Sequence, residues 1–112
     1  VTEKTDPLGE PVSSQAPDIG AVLGEVYAVL EQRKRDLPED SYTAKLLMGP
    51  QDKLLKKIGE ESAELIIAAR DGDAKQLRYE LGDLLYHMLV VMVREDVALD
   101  DLAAELYSRR RK

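Results

Sequence analysis

From Ile19 onward, apolar residues recur at helical spacing, and no segment alternates convincingly at period two. Val22, Val26, Val29 and Leu30 mark one face of a first helix over 19–35, which Leu23 and Tyr27 widen. Asp18 stands at its N-cap, and Leu37-Pro38 ends it, because proline disfavours helix in the residue before it. Ser41 caps a short helix or turn through Leu47, which Gly49 closes before Pro50 opens the next helix. A second long helix is expected over 50–70, with Leu54, Ile58, Leu65 and Ala69 as its buried stripe. Asp71-Gly72-Asp73 makes a tight connection, and Asp73 caps a third long helix over 74–94. Its apolar stripe is Leu77, Leu81, Leu84, Leu85, Met88 and Met92. Asp100 caps a last helix through Leu106, followed by the basic residues 109–112. The expected architecture is an all-α, small helical bundle.

The first 17 residues break this pattern. They hold Pro7, Pro11, Pro17, Gly9, Ser13 and Ser14 with little apolar content, the composition of a disordered extension. The domain is therefore placed over 18–112. A chain of 112 residues fits one domain, and the absence of Phe and Trp leaves its core to Leu, Ile, Val, Ala and Met. So small a core gains from pairing with a second chain. The absence of cysteine excludes disulfides, thiolate metal sites and thiol catalysis. A net charge of −6 argues against general nucleic-acid affinity. The longest apolar run, 88–93, is too short to span a membrane, and Val1-Thr2-Glu3 opens no signal-peptide pattern. A cytoplasmic protein is expected.

Candidate chemistry lies in two acidic clusters on consecutive helices, Glu60-Glu61-Ser62-Ala63-Glu64 and Glu80-Leu81-Gly82-Asp83. At about 100° per residue, Glu61 falls at the edge of the expected stripe and Glu64 beside it. Glu80 and Asp83 lie one turn apart beside the next stripe. Carboxylates gathered there repel one another unless cations fill the space. Oxygen-rich sites suit Mg²⁺, with Mn²⁺ as the alternative, together with substrate phosphates. Glu61, Glu64, Glu80 and Asp83 are the candidate metal ligands. Glu60 then lies behind them, or orients the attacking water with Glu61. Neither pair is the Glu-x-x-His of di-iron bundles, which disfavours redox iron. The competing reading is a solvated face, in which Lys56–Glu60 and Lys57–Glu61 are ordinary i, i+4 pairs. Lys45, Lys56 and Lys57 could contact phosphate or simply face solvent. Ser41 has a plain role as a cap and Tyr42 as a packing residue. His87, the single histidine, fits a hydrogen-bonding role near the seam better than ligation. No GxxxxGK[ST], GxGxxG or GxSxG motif occurs.

Three segments together resemble the phosphoribosyl-ATP pyrophosphohydrolases: Ser41-Tyr42-Thr43-Ala44-Lys45-Leu46, the run from Lys56 through Glu64, and Glu80-Leu81-Gly82-Asp83-Leu84-Leu85-Tyr86-His87. The resemblance covers roughly 22–106 and belongs to the wider all-α nucleotide pyrophosphohydrolases. It implies Mg²⁺-dependent hydrolysis of phosphoribosyl-ATP to phosphoribosyl-AMP and pyrophosphate, the second step of histidine biosynthesis. It also implies a homodimer with sites near the subunit interface. The family's metal-binding acids map onto Glu60, Glu61, Glu64, Glu80 and Asp83. Ser41, Tyr42, Lys45, Lys56 and Lys57 are then expected to hold the substrate. Two rivals stand beside this reading: a house-cleaning nucleoside triphosphate pyrophosphatase of the same superfamily, and a non-catalytic acidic helical interaction module.

Overall fold

The computed structural model describes residues 17–36 and 41–110. Within them lie five helices and no strand: α1 (Ile19–Asp36), α2 (Tyr42–Met48), α3 (Gln51–Asp71), α4 (Ala74–Arg94) and α5 (Leu99–Arg109). The expected extension, except for Pro17, lies outside the described residues, as does the Leu37-Pro38 stop of α1.

Local chemistry sets most helix ends. Asp18 Oδ2 accepts the Ala21 amide at 2.9 Å, and Ser41 Oγ accepts that of Ala44 at 3.2 Å. The Gly49 amide donates to the Lys45 carbonyl at 2.7 Å, an approach that a Cβ at Gly49 would block. α3 stops at Gly72, whose φ of 71° is left-handed. Asp73 then starts α4 by accepting the Gln76 amide at 3.0 Å. At the far end of α4, Lys34 Nζ donates to the Val93 carbonyl at 2.9 Å and to Asp96 Oδ1 at 3.0 Å. The last helix departs from expectation. Ala98, not Asp100, holds the cap position of α5, because the Asp101 amide already bonds the Ala98 carbonyl at 3.1 Å. Asp100 and Asp101 fall in the first turn instead, where their charge favours the helix dipole.

α3 and α4 form the most extensive helix pair, and α1 and α2 cover one end of it. There Leu30, Leu46, Leu47, Leu54, Leu89, Val90 and Val93 make the core. Arg94 ties α2 to α4 by donating to the Leu46 and Leu47 carbonyls at 2.9 and 3.1 Å. The expected stripes need correction. On α3 the buried line is Leu54, Glu61 and Ala68, at seven-residue spacing, while Ala69 is exposed. On α4, Glu80 and His87 are buried, but Leu81 and Met88 remain 50% and 45% exposed. α4 carries apolar residues nearly all round, so periodicity alone does not choose its inner face. Packing against α3 chooses the acidic one. Val29, expected on the core face of α1, is 51% exposed.

Candidate active site

The inward turn of these faces puts the acids between the two long helices. Glu61 and Glu80 are each only 2% exposed. One carboxylate oxygen from each of Glu61, Glu64 and Glu80 lies within 4.8 Å of the others. Asp83 is half-buried beside Glu61, outside that tight trio. Such crowding raises carboxyl pKa values. The neighbouring Glu64 carboxyl first, then burial, pushes Glu80 up to about 7. Burial first, then Asp83, raises Glu61, against the opposing pull of Lys57. Lys57 Nζ sits 3.3 Å from Glu61 Oε1 and is itself raised, chiefly by that bond. Gln76 reaches Glu80 Oε1 at 3.4 Å.

Two buried atoms bear on what this arrangement can hold. Glu61 Oε2 and Glu80 Oε2 are buried without any hydrogen-bond partner. A buried anionic oxygen left unpaired is costly. A hard divalent cation between α3 and α4 would satisfy both, and the donor set, all carboxylate oxygen, suits Mg²⁺. The residues present therefore fit the ion.

Beside the acids, Tyr42, Leu46, Lys53, Lys56, Lys57 and Glu60 line a hollow of about 250 Å³. Glu60 is exposed there among the lysines, so the structure does not bring it into the carboxylate trio. Lys45 is exposed on α2 and does not line this hollow. Lys53 was missed from the sequence. Its signal was helical spacing, since 53, 56, 57 and 60 share one face.

His87 connects α2 to the acids. Its Nδ1 lies 2.7 Å from the Asp83 carbonyl oxygen, a pure acceptor, so Nδ1 carries the proton. Nε2 then accepts from the Tyr42 hydroxyl at 3.0 Å. Burial raises the Tyr42 phenol, which keeps it a donor. Tyr42 Oη is thereby fixed at the edge of the lysine hollow, within the fields of Lys57, Asp83 and Glu61. Thr43 and Tyr86, also hydrogen-bonded through their hydroxyls, brace the same junction.

Comparisons with known proteins bear on the family of the chain. The family model described as phosphoribosyl-ATP pyrophosphohydrolase matches residues 23–110. A phosphoribosyl-ATP pyrophosphatase of Haloarcula marismortui is 47% identical over 95 residues, covering 83% of this chain and 97% of that protein. One from Halobacterium salinarum is 45% identical over 91 residues, or 79% of this chain and 96% of its own length. The histidine biosynthesis bifunctional protein HisIE of Thermus thermophilus is 44% identical over 94 residues, or 84% of this chain but 44% of the larger protein. The chain belongs to the phosphoribosyl-ATP pyrophosphohydrolase family.

Proposed function

We propose that the protein hydrolyses phosphoribosyl-ATP to phosphoribosyl-AMP and pyrophosphate with Mg²⁺ held by Glu61, Glu64, Glu80 and Asp83. The family supports the reaction and its place in histidine biosynthesis. The observation that carries the metal is the pair of buried, unpartnered oxygens on Glu61 and Glu80. When bound, Mg²⁺ supplies positive charge to the triphosphate oxygens and polarises water.

The chain's own groups do the rest. The carboxylates of Glu61, Glu64 and Glu80 would hold that charge at the α3–α4 seam, beside the lysine hollow. Lys53, Lys56 and Lys57 face the adjoining hollow, where they offset the charge on the departing pyrophosphate. Lys57 exchanges its bond to Glu61 for one to phosphate. Glu60, exposed among those lysines, orients them toward the departing group, and the proton of the water, which attacks from the opposite side, passes to a carboxylate at the seam. Tyr42, whose one hydroxyl proton goes to His87 Nε2, holds the same edge as a hydrogen-bond acceptor, facing a lysine or a ligand hydroxyl. Among the described residues no helix is long and apolar enough to cross a membrane, and the proposed setting is the cytoplasm.

A homodimer completes this reading. Outside the core, Leu81, Met88, Leu55 and Ile66 expose apolar surface on α3 and α4, and Leu102, Leu106 and Tyr107 do so on α5. No α5 residue is buried. Gly82 lies in the interior of α4 with open space around it, where alanine would favour the helix by about 1 kcal/mol unless another surface comes close.

The test of the reaction is pyrophosphate release from phosphoribosyl-ATP, with and without Mg²⁺, beside ATP and dUTP. Metal-dependent release from phosphoribosyl-ATP alone is expected. Preferential release from the controls would assign the protein to nucleotide house-cleaning instead. An inert protein would favour the interaction module.

A further inference from the structure

A larger hollow, about 580 Å³, opens between α1 and the start of α2. Its volume is in the range of small-molecule sites, which are mostly apolar with a few placed polar groups. Val26, Val29 and Leu30 form its floor, while Tyr42, Thr43 and Tyr86 wall it. Glu25, Val29 and Arg33 follow one another at i, i+4 and i+8 along α1, so the backbone positions of the acid and the arginine lie about 12 Å apart along the axis. The hollow holds apolar surface that this small core leaves to solvent, since Val29 is 51% and Tyr42 48% exposed.

Position gives it meaning. Tyr42 lines both this hollow and the lysine hollow, so the two adjoin across one side chain. A ligand with its triphosphate on the lysines and carboxylates would reach past Tyr42 into the space over Val29. At the Arg33 end, Arg33 Nη1 donates to Ser41 Oγ at 3.3 Å. The same oxygen accepts the Ala44 amide at 3.2 Å. With both acceptor sites used, the Ser41 hydroxyl proton is left to donate outward, next to a guanidinium whose fork matches phosphate.

We propose that this hollow binds the base and the second, phosphorylated ribose of the substrate, with Arg33 and Ser41 holding its monophosphate. The proposal rests on the phosphoribosyl-ATP reading. It identifies the groups that separate that substrate from a plain nucleoside triphosphate. Val26, Val29 and Leu30 lie against the flat base, and Arg33 neutralises a group that ATP does not possess. Glu25, at the opposite end, disfavours phosphate there and so sets the direction of the ligand.

The test is steady-state kinetics on phosphoribosyl-ATP for Arg33→Gln, Arg33→Lys and Val29→Trp, with ATP as competitive inhibitor. For Arg33→Gln, KM rises about 10- to 100-fold, the range for loss of one charged hydrogen bond, while kcat stays within about threefold. Arg33→Lys recovers part of the loss. The inhibition constant of ATP does not change with either, because ATP lacks the second phosphate. Val29→Trp raises KM by filling the floor, and its sedimentation coefficient stays that of the wild type. An active wild type whose KM is indifferent to Arg33→Gln overturns the hollow and leaves the reaction standing. A wild type inert on phosphoribosyl-ATP overturns both. A Val29→Trp protein with wild-type kinetics but altered sedimentation makes the hollow an interface between copies, and also overturns the proposal.

Discussion

At the scale of single residues, Glu61 and Glu80 are the centre of the account. Each sits where a leucine would stabilise the fold, and each has an oxygen with no partner. Glu61→Gln is therefore expected to lower kcat by about 10²- to 10³-fold, as for loss of one transition-state charge stabiliser, with the helical circular dichroism retained. Asp83→Asn behaves likewise, and full activity in both variants would refute the ligand assignment. The raised pKa of Glu80 gives a second expectation, for metal-free protein. Its proton is held up to about pH 7 in the folded state, against an ordinary value of 4.5. Between those values the folded state binds more protons than the unfolded chain, so stability falls as pH rises. Thermal midpoints of metal-free protein should drop across that window, and a flat profile would contradict the crowding. The acids were legible in the sequence as EExxE and ExxD. Their depth was not. A glutamate on a predicted seam looks like an edge residue, because burial of an unpaired charge is unfavourable unless something absent from the sequence compensates it.

At the scale of elements, what the sequence showed and what it hid divide along physical lines. Asp18, Ser41, Gly72 and Asp73 act within three or four residues of themselves, and the structure places them as read. Asp73→Ala should cost about 1 kcal/mol in chemical denaturation by removing the cap of α4. The rotation of α4 was hidden. Its leucines and methionines surround the helix, and only the match of Glu80 and His87 to α3 and α2 decides which side turns in. α5 differs from its reading at both ends: Asp100 and Asp101 suit a first turn as well as a cap, and the helix runs past Leu106 to Arg109. The core end of the bundle is separable from the acidic end. Leu54, 1% exposed beneath α2, is the anchor there, and Leu54→Ala should cost about 2–5 kcal/mol. In protein that remains folded, kcat with saturating Mg²⁺ should hold, which would show that the core supports the site without taking part in it.

At the scale of the whole molecule, one end of a four-helix arrangement stores the apolar core and the middle of the α3–α4 pair gathers the acids, while α5 touches that core through Leu99 and buries no residue fully. The proposed dimer covers the outer surface of α4. Leu81→Asp with Met88→Glu should shift sedimentation from dimer to monomer, and an unchanged coefficient would place the interface elsewhere. If a divalent cation satisfies the buried oxygens between α3 and α4, its binding and the stability of the fold are linked. The most direct measurement is the thermal midpoint of metal-free protein against MgCl₂ at pH 8, where the carboxylates are ionised. A midpoint that climbs with the logarithm of Mg²⁺ concentration in the wild type, and stays flat in Glu80→Gln, is predicted by linkage. A wild-type midpoint that does not respond to Mg²⁺ would contradict it.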